Sequence, residues 1–158
     1  MKVQDLMTPN AITCSPNTNL ARVAGLMWDN NCGSLAVTNE HGKVIGLITD
    51  RDICIAVATR QRLAAEILVS EVITGEVWTC GPQDDIRKLL QTMRNARVRR
   101  LPVISDDGVL QGIVSISDIV LHAEEAQGKQ KPQLSLQDAI GTLKAVCGYR
   151  GIQQTEEA

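Results

Sequence analysis

Two stretches of this chain carry the same apolar rhythm. Leu20, Val23, Ala24 and Met27 fall at positions 0, 3, 4 and 7, and so do Ile86, Leu89, Leu90 and Met93. That spacing puts each set on one face of a helix. Ahead of each helix lies a short β-prone run, Ala11–Cys14 or Val77–Cys80, closed two residues later by Pro16 or Pro82. Asn17 or Thr18, and Asp84 or Asp85, are suited to cap the two helices. After each helix, two apolar arms flank a polar turn that ends in glycine. Leu35–Val37 and Val44–Ile48 enclose Asn39–Gly42, and Leu101–Ile104 and Leu110–Val114 enclose Ser105–Gly108. These are hairpins, with Gly42 and Gly108 free to take a positive φ. Pro102 lacks an amide donor and belongs at a strand edge or start. A second helix is expected to begin at Thr49 and at Ser115.

The chain is therefore a repeat. Shifted by 66 residues it aligns with itself without a gap, Val3–Val57 on Val69–Ala123, and twelve of the 55 pairs are identical. Each copy reads strand, helix, strand, strand, helix. The expected fold is α/β (α+β), with two β-α-β-β-α repeats packed in pseudo-twofold symmetry and a C-terminal helix. One unit of this size is marginal alone, and two copies are expected to share one core. The organisation is residues 1–60, residues 61–125, and a linker with an amphipathic helix over 126–158. Glu124–Pro132 is the polar linker. Ser135 and Asp138 have capping-box spacing. Leu136, Ala139, Ile140, Leu143, Val146 and Cys147 form an apolar stripe, ended by Gly148 and Gly151. The residues from Gln153 to Ala158 are expected to be loose.

Composition narrows the function. The chain has 158 residues, 44 % of them hydrophobic, enough for a real core and too many for a disordered or fibrous chain. Sixteen basic residues against eighteen acidic ones leave a charge of −2, which argues against a general polyanion binder but not against a local anion site. Trp28, Trp78 and Tyr149 are the whole aromatic complement, too few for stacking single-stranded nucleic acid. Five cysteines with no CxxC read as reduced core thiols rather than disulfides or a metal site. No apolar run has membrane-spanning length and the N-terminus has no signal pattern, so a cytoplasmic location without a membrane partner is expected. No GxSxG, HExxH or phosphate-binding loop motif is present, so no enzyme is expected.

Two features can do chemistry. Both hairpins run into their helix through one pattern: Gly46-Leu47-Ile48-Thr49-Asp50-Arg51-Asp52 and Gly112-Ile113-Val114-Ser115-Ile116-Ser117-Asp118. A glycine lets a ligand approach the backbone. A hydroxyl at a helix start stands beside free amides that favour anions. The aspartate can accept both bonds of a ribose cis-diol. The same spacing is that of a capping box, which needs no ligand, and duplication copies caps as readily as sites. The second feature is basic. Arg87, Lys88, Arg94, Arg97, Arg99 and Arg100 occur with no acidic residue from Arg87 to Ser105. Arg99 and Arg100 directly precede a strand, where an arginine can fork onto phosphate oxygens; a solvated surface is the alternative. The aligned residues of the first copy are Gly33 and Ser34.

The paired unit resembles a tandem of CBS domains, a Bateman module, from Val3 to Ala123. The marks are Asp5-Leu6-Met7-Thr8 and Glu71-Val72-Ile73-Thr74, the central Leu101-Pro102-Val103, and the Gly-x-x-Thr/Ser-x-x-Asp endings. The resemblance implies a non-enzymatic regulatory module that binds an adenine nucleotide, AMP first and then ADP, ATP or NAD, in clefts between the repeats. Its ribose-binding pairs correspond to Asp52 with Thr49 and Asp118 with Ser115. By the same resemblance Thr8, Ala11 and Ile12 face the Asp118 cleft, and Thr74, Val77 and Trp78 face the Asp52 cleft. Arg99 and Arg100 match a phosphate-holding basic pair and are assigned to the Asp118 cleft. Gly33 completes the candidate binding residues. The first copy departs from the pattern with Leu35-Ala36-Val37 and no basic pair, so equal occupancy of the clefts is not expected. A homodimer and an unknown regulated protein partner are implied, with the C-terminal helix covering an apolar surface of its own chain or of the second copy. The rival reading is a ligand-free dimerising adaptor.

Overall fold

The computed structural model describes residues 1–125 and 132–148. The middle of the expected linker, Gly151 and the tail from Gln153 lie outside the described residues. The elements in order are β1 (Thr8–Pro9), β2 (Thr13–Cys14), α1 (Leu20–Asp29), β3 (Ser34–Thr38), β4 (Val44–Thr49), α2 (Asp50–Arg60), α3 (Ile86–Ala96), β5 (Arg100–Ile104), β6 (Leu110–Ser115), α4 (Ile116–His122) and α5 (Leu136–Cys147). One sheet has the order β2-β3-β4 and the other β1-β6-β5. Both hairpins form as expected, with Gly42 at φ 72° and Gly108 at φ 87° in their turns. Pro102 lies on β5, the outermost strand of its sheet.

Local differences from the sequence reading have local causes. Asn19, not Asn17 or Thr18, caps α1, accepting from the Arg22 amide at 2.9 Å. Thr18 is already engaged, its hydroxyl accepting the Ser15 amide across the turn at Pro16. Asp84 plays the same part by accepting the Gly81 amide, which leaves Asp85 to cap α3. The expected run Ala11–Cys14 shrinks to Thr13–Cys14, and Val77–Cys80 to a single parallel bridge between Cys80 and Val103.

The larger finding is that the repeats exchange their lead-in segments. There are two cores, not one, and each is built by both repeats. Val3 and Leu6 pack with Ile86, Leu89, Met93, Leu101 and Ile119 of the second repeat. Ile67 and Val69 pack with Leu20, Val23, Met27, Leu35 and Ile48 of the first. The backbone repeats this symmetrically. The Val3 amide donates to the Asp84 carbonyl and the Val69 amide to that of Thr18; Gln4 donates to Pro82 and Ser70 to Pro16, all at 2.9–3.0 Å. At the far end the hairpin tips are tied together, Val44 N–H to the Gly108 carbonyl and Leu110 N–H to that of Gly42.

The exchange also explains the two pattern glycines. Their bare backbones admit the other repeat's lead-in rather than a ligand. A Cβ on Gly46 would sit 2.8 Å from Ile73 Cδ1, and one on Gly112 only 2.6 Å from the Thr8 carbonyl oxygen. Here β1 ladders onto β6, pairing Thr8 with Ile113 and Pro9 with Gly112.

Helix α5 covers its own chain, packing against α3 and α4. Leu134, Ala139 and Val146 join the second core. Arg94 of α3 donates from Nε to Thr142 Oγ1 at 2.8 Å and from Nη2 to the Asp138 carbonyl at 3.0 Å. Ser135 and Asp138 close the expected capping box, and the Ser135 hydroxyl holds the Asp138 carboxyl below its ordinary range.

Two alanine substitutions test this packing with opposite expected signs. Gly112→Ala forces β1 away from β6 and should lower stability by about 1–3 kcal/mol, as overpacking does. Gly25→Ala, inside α1 with nothing within 4 Å of its Cβ position, should raise it by about 0.5–1 kcal/mol. Urea denaturation of both variants reads the two values.

Candidate functional site

A cleft of about 490 Å³ opens where the two repeats meet. One wall is the start of α2, from Thr49 to Asp52. The second is the lead-in of the other repeat, Glu76, Val77 and Trp78. The third is the connection from α3 to β5, Arg97 to Arg100, with Val146 of α5 beside it. The third wall follows from a tight helix end. Arg97 takes the left-handed conformation at φ 53° and ends α3 with its amide on the Met93 carbonyl. The chain then turns straight into β5, where Arg100 pairs with Ser115. The cleft thus holds Arg51, Arg97, Arg99 and Arg100 against Asp50, Asp52 and Glu76. Among the described residues none of these four arginines forms a salt bridge.

The two pattern aspartates are helix caps in this structure. Asp52 Oδ2 accepts the Thr49 amide at 2.9 Å and the Thr49 hydroxyl at 2.7 Å, while the Asp52 amide donates back to Thr49 Oγ1 at 3.2 Å. Asp118 and Ser115 repeat the arrangement at 2.7, 2.6 and 3.4 Å. Capping uses one carboxylate oxygen. Oδ1 of each aspartate accepts no hydrogen bond among the described residues, and a hydroxyl is a rotor that can release Oδ2. Cap and ligand contact are therefore compatible, and both carboxylates are only partly buried.

The structure brings Thr49, Asp52, Val77, Trp78, Arg99 and Arg100 together. Thr74 is exposed and outside that lining. The assignment of Arg99 and Arg100 to the Asp118 cleft is corrected: both line the cleft of Asp52, because the start of β5 faces α2 of the other repeat. Gly33 lies at the border, where a Cβ would meet Asp50 Oδ2 at 3.0 Å and Arg100 Nη1 at 3.8 Å. Around Asp118, Thr8 is held by its ladder to Ile113, two residues ahead of Ser115. Ala11 is half-buried and Ile12 is 40 % exposed. Arg51 stood at a variable position of the sequence pattern, and Arg97 was named in the basic cluster without a site. Alignment of the two copies carries the signal, since Arg51 and Arg97 match Ser117 and Asn31.

The thiols stand apart from this site. All five cysteines are free, but only Cys14 and Cys80 are buried, whereas Cys54 and Cys147 are exposed, so the expectation of core thiols holds for two positions. Burial pushes the Cys14 thiol up to about 11 and the Cys80 thiol up to about 12. Among the described residues no helix is long and apolar enough to cross a membrane.

Comparison with known proteins gives the family. The CBS domain model matches residues 3–59 and 69–125, and the chain belongs to that family as a CBS domain pair. The CBS domain-containing protein YhcV of Bacillus subtilis is 33 % identical over 138 residues, 86 % of this chain and 96 % of that protein. An uncharacterized protein of Methanopyrus kandleri is 29 % identical over 76 % of this chain, which spans 61 % of its length. Among solved structures, the CBS domain pair of protein MJ0100 in complex with 5′-methylthioadenosine and S-adenosyl-L-methionine superimposes with a TM-score of 0.70. It is 26 % identical, covering 77 % of this chain and 94 % of that one. Relatives with enzyme names, homoserine O-acetyltransferases and an L-aspartate semialdehyde sulfurtransferase, are much longer, and the chain spans between 22 % and 24 % of them.

Thiol reactivity checks the burial pattern. With a disulfide reagent at pH 8, Cys54 and Cys147 should react within the first fast phase. Cys14 and Cys80 should react only after denaturation, because thiol and not thiolate persists at that pH. Mass mapping of the labelled peptides assigns the phases.

Proposed function

We propose that this chain is a non-enzymatic regulatory module that binds an adenine nucleotide in the cleft of Asp52 and signals its occupancy to a protein partner. One observation carries the reading: a carboxylate with a free oxygen, suited to a ribose diol, faces unpaired guanidinium groups suited to phosphate, and they come from opposite repeats. A ligand that touches both repeats can change their relative position, which is what regulation by differential affinity requires. The adenosine compounds bound by the MJ0100 domain pair support the ligand class. AMP is the first candidate, ahead of ADP, ATP and NAD. The partner and pathway are open to affinity capture with and without AMP.

A second copy of the chain is part of this reading. The α3–α4 surface is covered by α5, while α1 leaves Trp28 86 % exposed beside a groove of about 450 Å³ that Ala24, Met27 and Ile53 help to line. Light scattering should give a dimer for the full chain and a monomer for Trp28→Glu.

The rival reading, a dimerising adaptor with empty clefts, draws on the complete capping boxes at Asp52 and Asp118. Titration calorimetry with AMP separates the two. Asp52→Ala removes a charge-assisted acceptor worth about 1.5–3 kcal/mol, so AMP affinity should fall roughly 10- to 150-fold. If the clefts are empty, AMP gives no heat with the unmodified chain; if Asp52 is a cap alone, the substitution lowers the melting temperature and leaves AMP affinity unchanged.

A further inference from the structure

Helix α5 lies outside the two matched CBS domains, yet it supplies part of the cleft wall. Its seat changes along its length. At the start the backbone ties it down, with Glu124 N–H on the Leu134 carbonyl and Leu136 N–H on that of Glu124, both at 3.0 Å. In the middle the two bonds from Arg94, to Thr142 Oγ1 and to the Asp138 carbonyl, fix it across α3. At the end the buried residue is Val146. It lines the cleft together with Val98, which packs against the same core and stands between Arg97 and Arg99 in the third wall. The far end of α5 is thus held by the very residues that shape the cleft.

The inward face of α5 is made of small side chains. Ala139, Thr142 and Val146 are buried, whereas Ile140 and Leu143 are exposed. The apolar stripe of the sequence is therefore split, with its bulkier members turned away from the seat. A helix seated in this way gains less from apolar burial than its composition allows, and such an element opens locally before the core does. In the first repeat the position of Arg94 is taken by Trp28, which is exposed.

We infer that α5 reads the occupancy of the Asp52 cleft, a bound nucleotide and the docked helix stabilising each other through the wall that Val146 and Val98 share. This rests on the nucleotide reading above and adds the element that responds. With α5 docked, Val146 closes an apolar side of a cleft that also holds four arginines, and a ligand there packs against it. With α5 lifted, Val146 is withdrawn, Val98 is left to water, and the ligand loses that wall. A ligand that prefers the docked state must, by linkage, hold α5 down by the same factor. Lifting also frees Ala139 and Val146 for another surface, so occupancy becomes a change in the apolar side chains that the chain presents.

Hydrogen exchange of the full chain, read by mass spectrometry with and without saturating AMP, tests this. The control is α1, whose outer face lies on the groove beside Trp28. AMP should slow the α5 amides about 5-fold or more and leave those of α1 unchanged. Val146→Ala, which shortens the shared wall and keeps both bonds of Arg94, should remove most of that slowing. Ala139→Asp puts a carboxylate under the helix and should lift it. In calorimetry its AMP affinity should fall by about the factor that AMP imposes on α5 exchange. If that variant does not fold, the exchange of the unmodified and Val146→Ala chains decides. AMP binding with α5 exchange unchanged, α1 and α5 slowed alike, full slowing in Val146→Ala, or undiminished AMP affinity in Ala139→Asp overturns the coupling and leaves the nucleotide reading standing. No binding of AMP overturns both.

Discussion

Everything in this molecule depends on the exchange of lead-in segments between its two repeats. A unit of about 55 residues with one hairpin and two helices leaves an apolar gap that it cannot fill from its own chain. Val3 and Leu6 fill that gap in the second repeat, and Ile67 and Val69 fill it in the first. The glycine at 112 is a steric condition for the exchange, since a side chain there would collide with the arriving backbone at Thr8, and one at 46 would press on the Ile73 side chain. The cleft is a by-product of the same crossing. Because Glu76–Trp78 must pass over the first repeat, they wall a space against Thr49–Asp52 that neither repeat encloses alone.

Within that space the Asp52 carboxylate caps a helix and keeps one oxygen for the ligand proposed above. Asp52 and Asp118 each fix the first turn of a helix through one oxygen and leave the other unengaged among the described residues. The cap holds the carboxylate in place before any ligand arrives, so little side-chain freedom is left to lose on binding. Spacing alone could not choose between cap and site because the same spacing suits both.

Much of the fold was legible in the sequence, for a clear reason. Helical faces such as Ile86, Leu89, Leu90 and Met93, and turns such as Ser105–Gly108, are set by neighbours a few residues apart. The self-alignment revealed the duplication, and the motifs within it carried the resemblance to a CBS pair. What it could not reveal is which repeat a segment packs against, since a shift of 66 residues is the same whether lead-ins stay home or cross. The two cores and the packing role of Gly46 and Gly112 depend on that missing fact. The resemblance grouped Val77 and Trp78 with Asp52, as the structure does, and put only Arg99 and Arg100 with the wrong aspartate. Asn19 shows the limit at short range: Thr18 is an equally good cap by type, and only its engagement with Ser15 moves the helix start by a residue.

The cross-bonded hairpin tips give the molecule a mechanical character. Val44 and Leu110 each hold the glycine of the opposite turn, while the cleft lies at the other ends of the same hairpins. Five or six residues of strand separate the two ends, an arm of about 17–20 Å. The hairpins are joined like the limbs of tongs, with the pivot at the tips and the jaws at Thr49 and Ser115. A swing of about 5° at the pivot moves a jaw by about 1.5 Å over an arm of that length. That is half the length of a hydrogen bond, enough to make or lose a contact to a ligand held between the limbs. The tie at the tips gives the two limbs a common pivot, so that a rotation too small to deform either hairpin would still shift one jaw against the other.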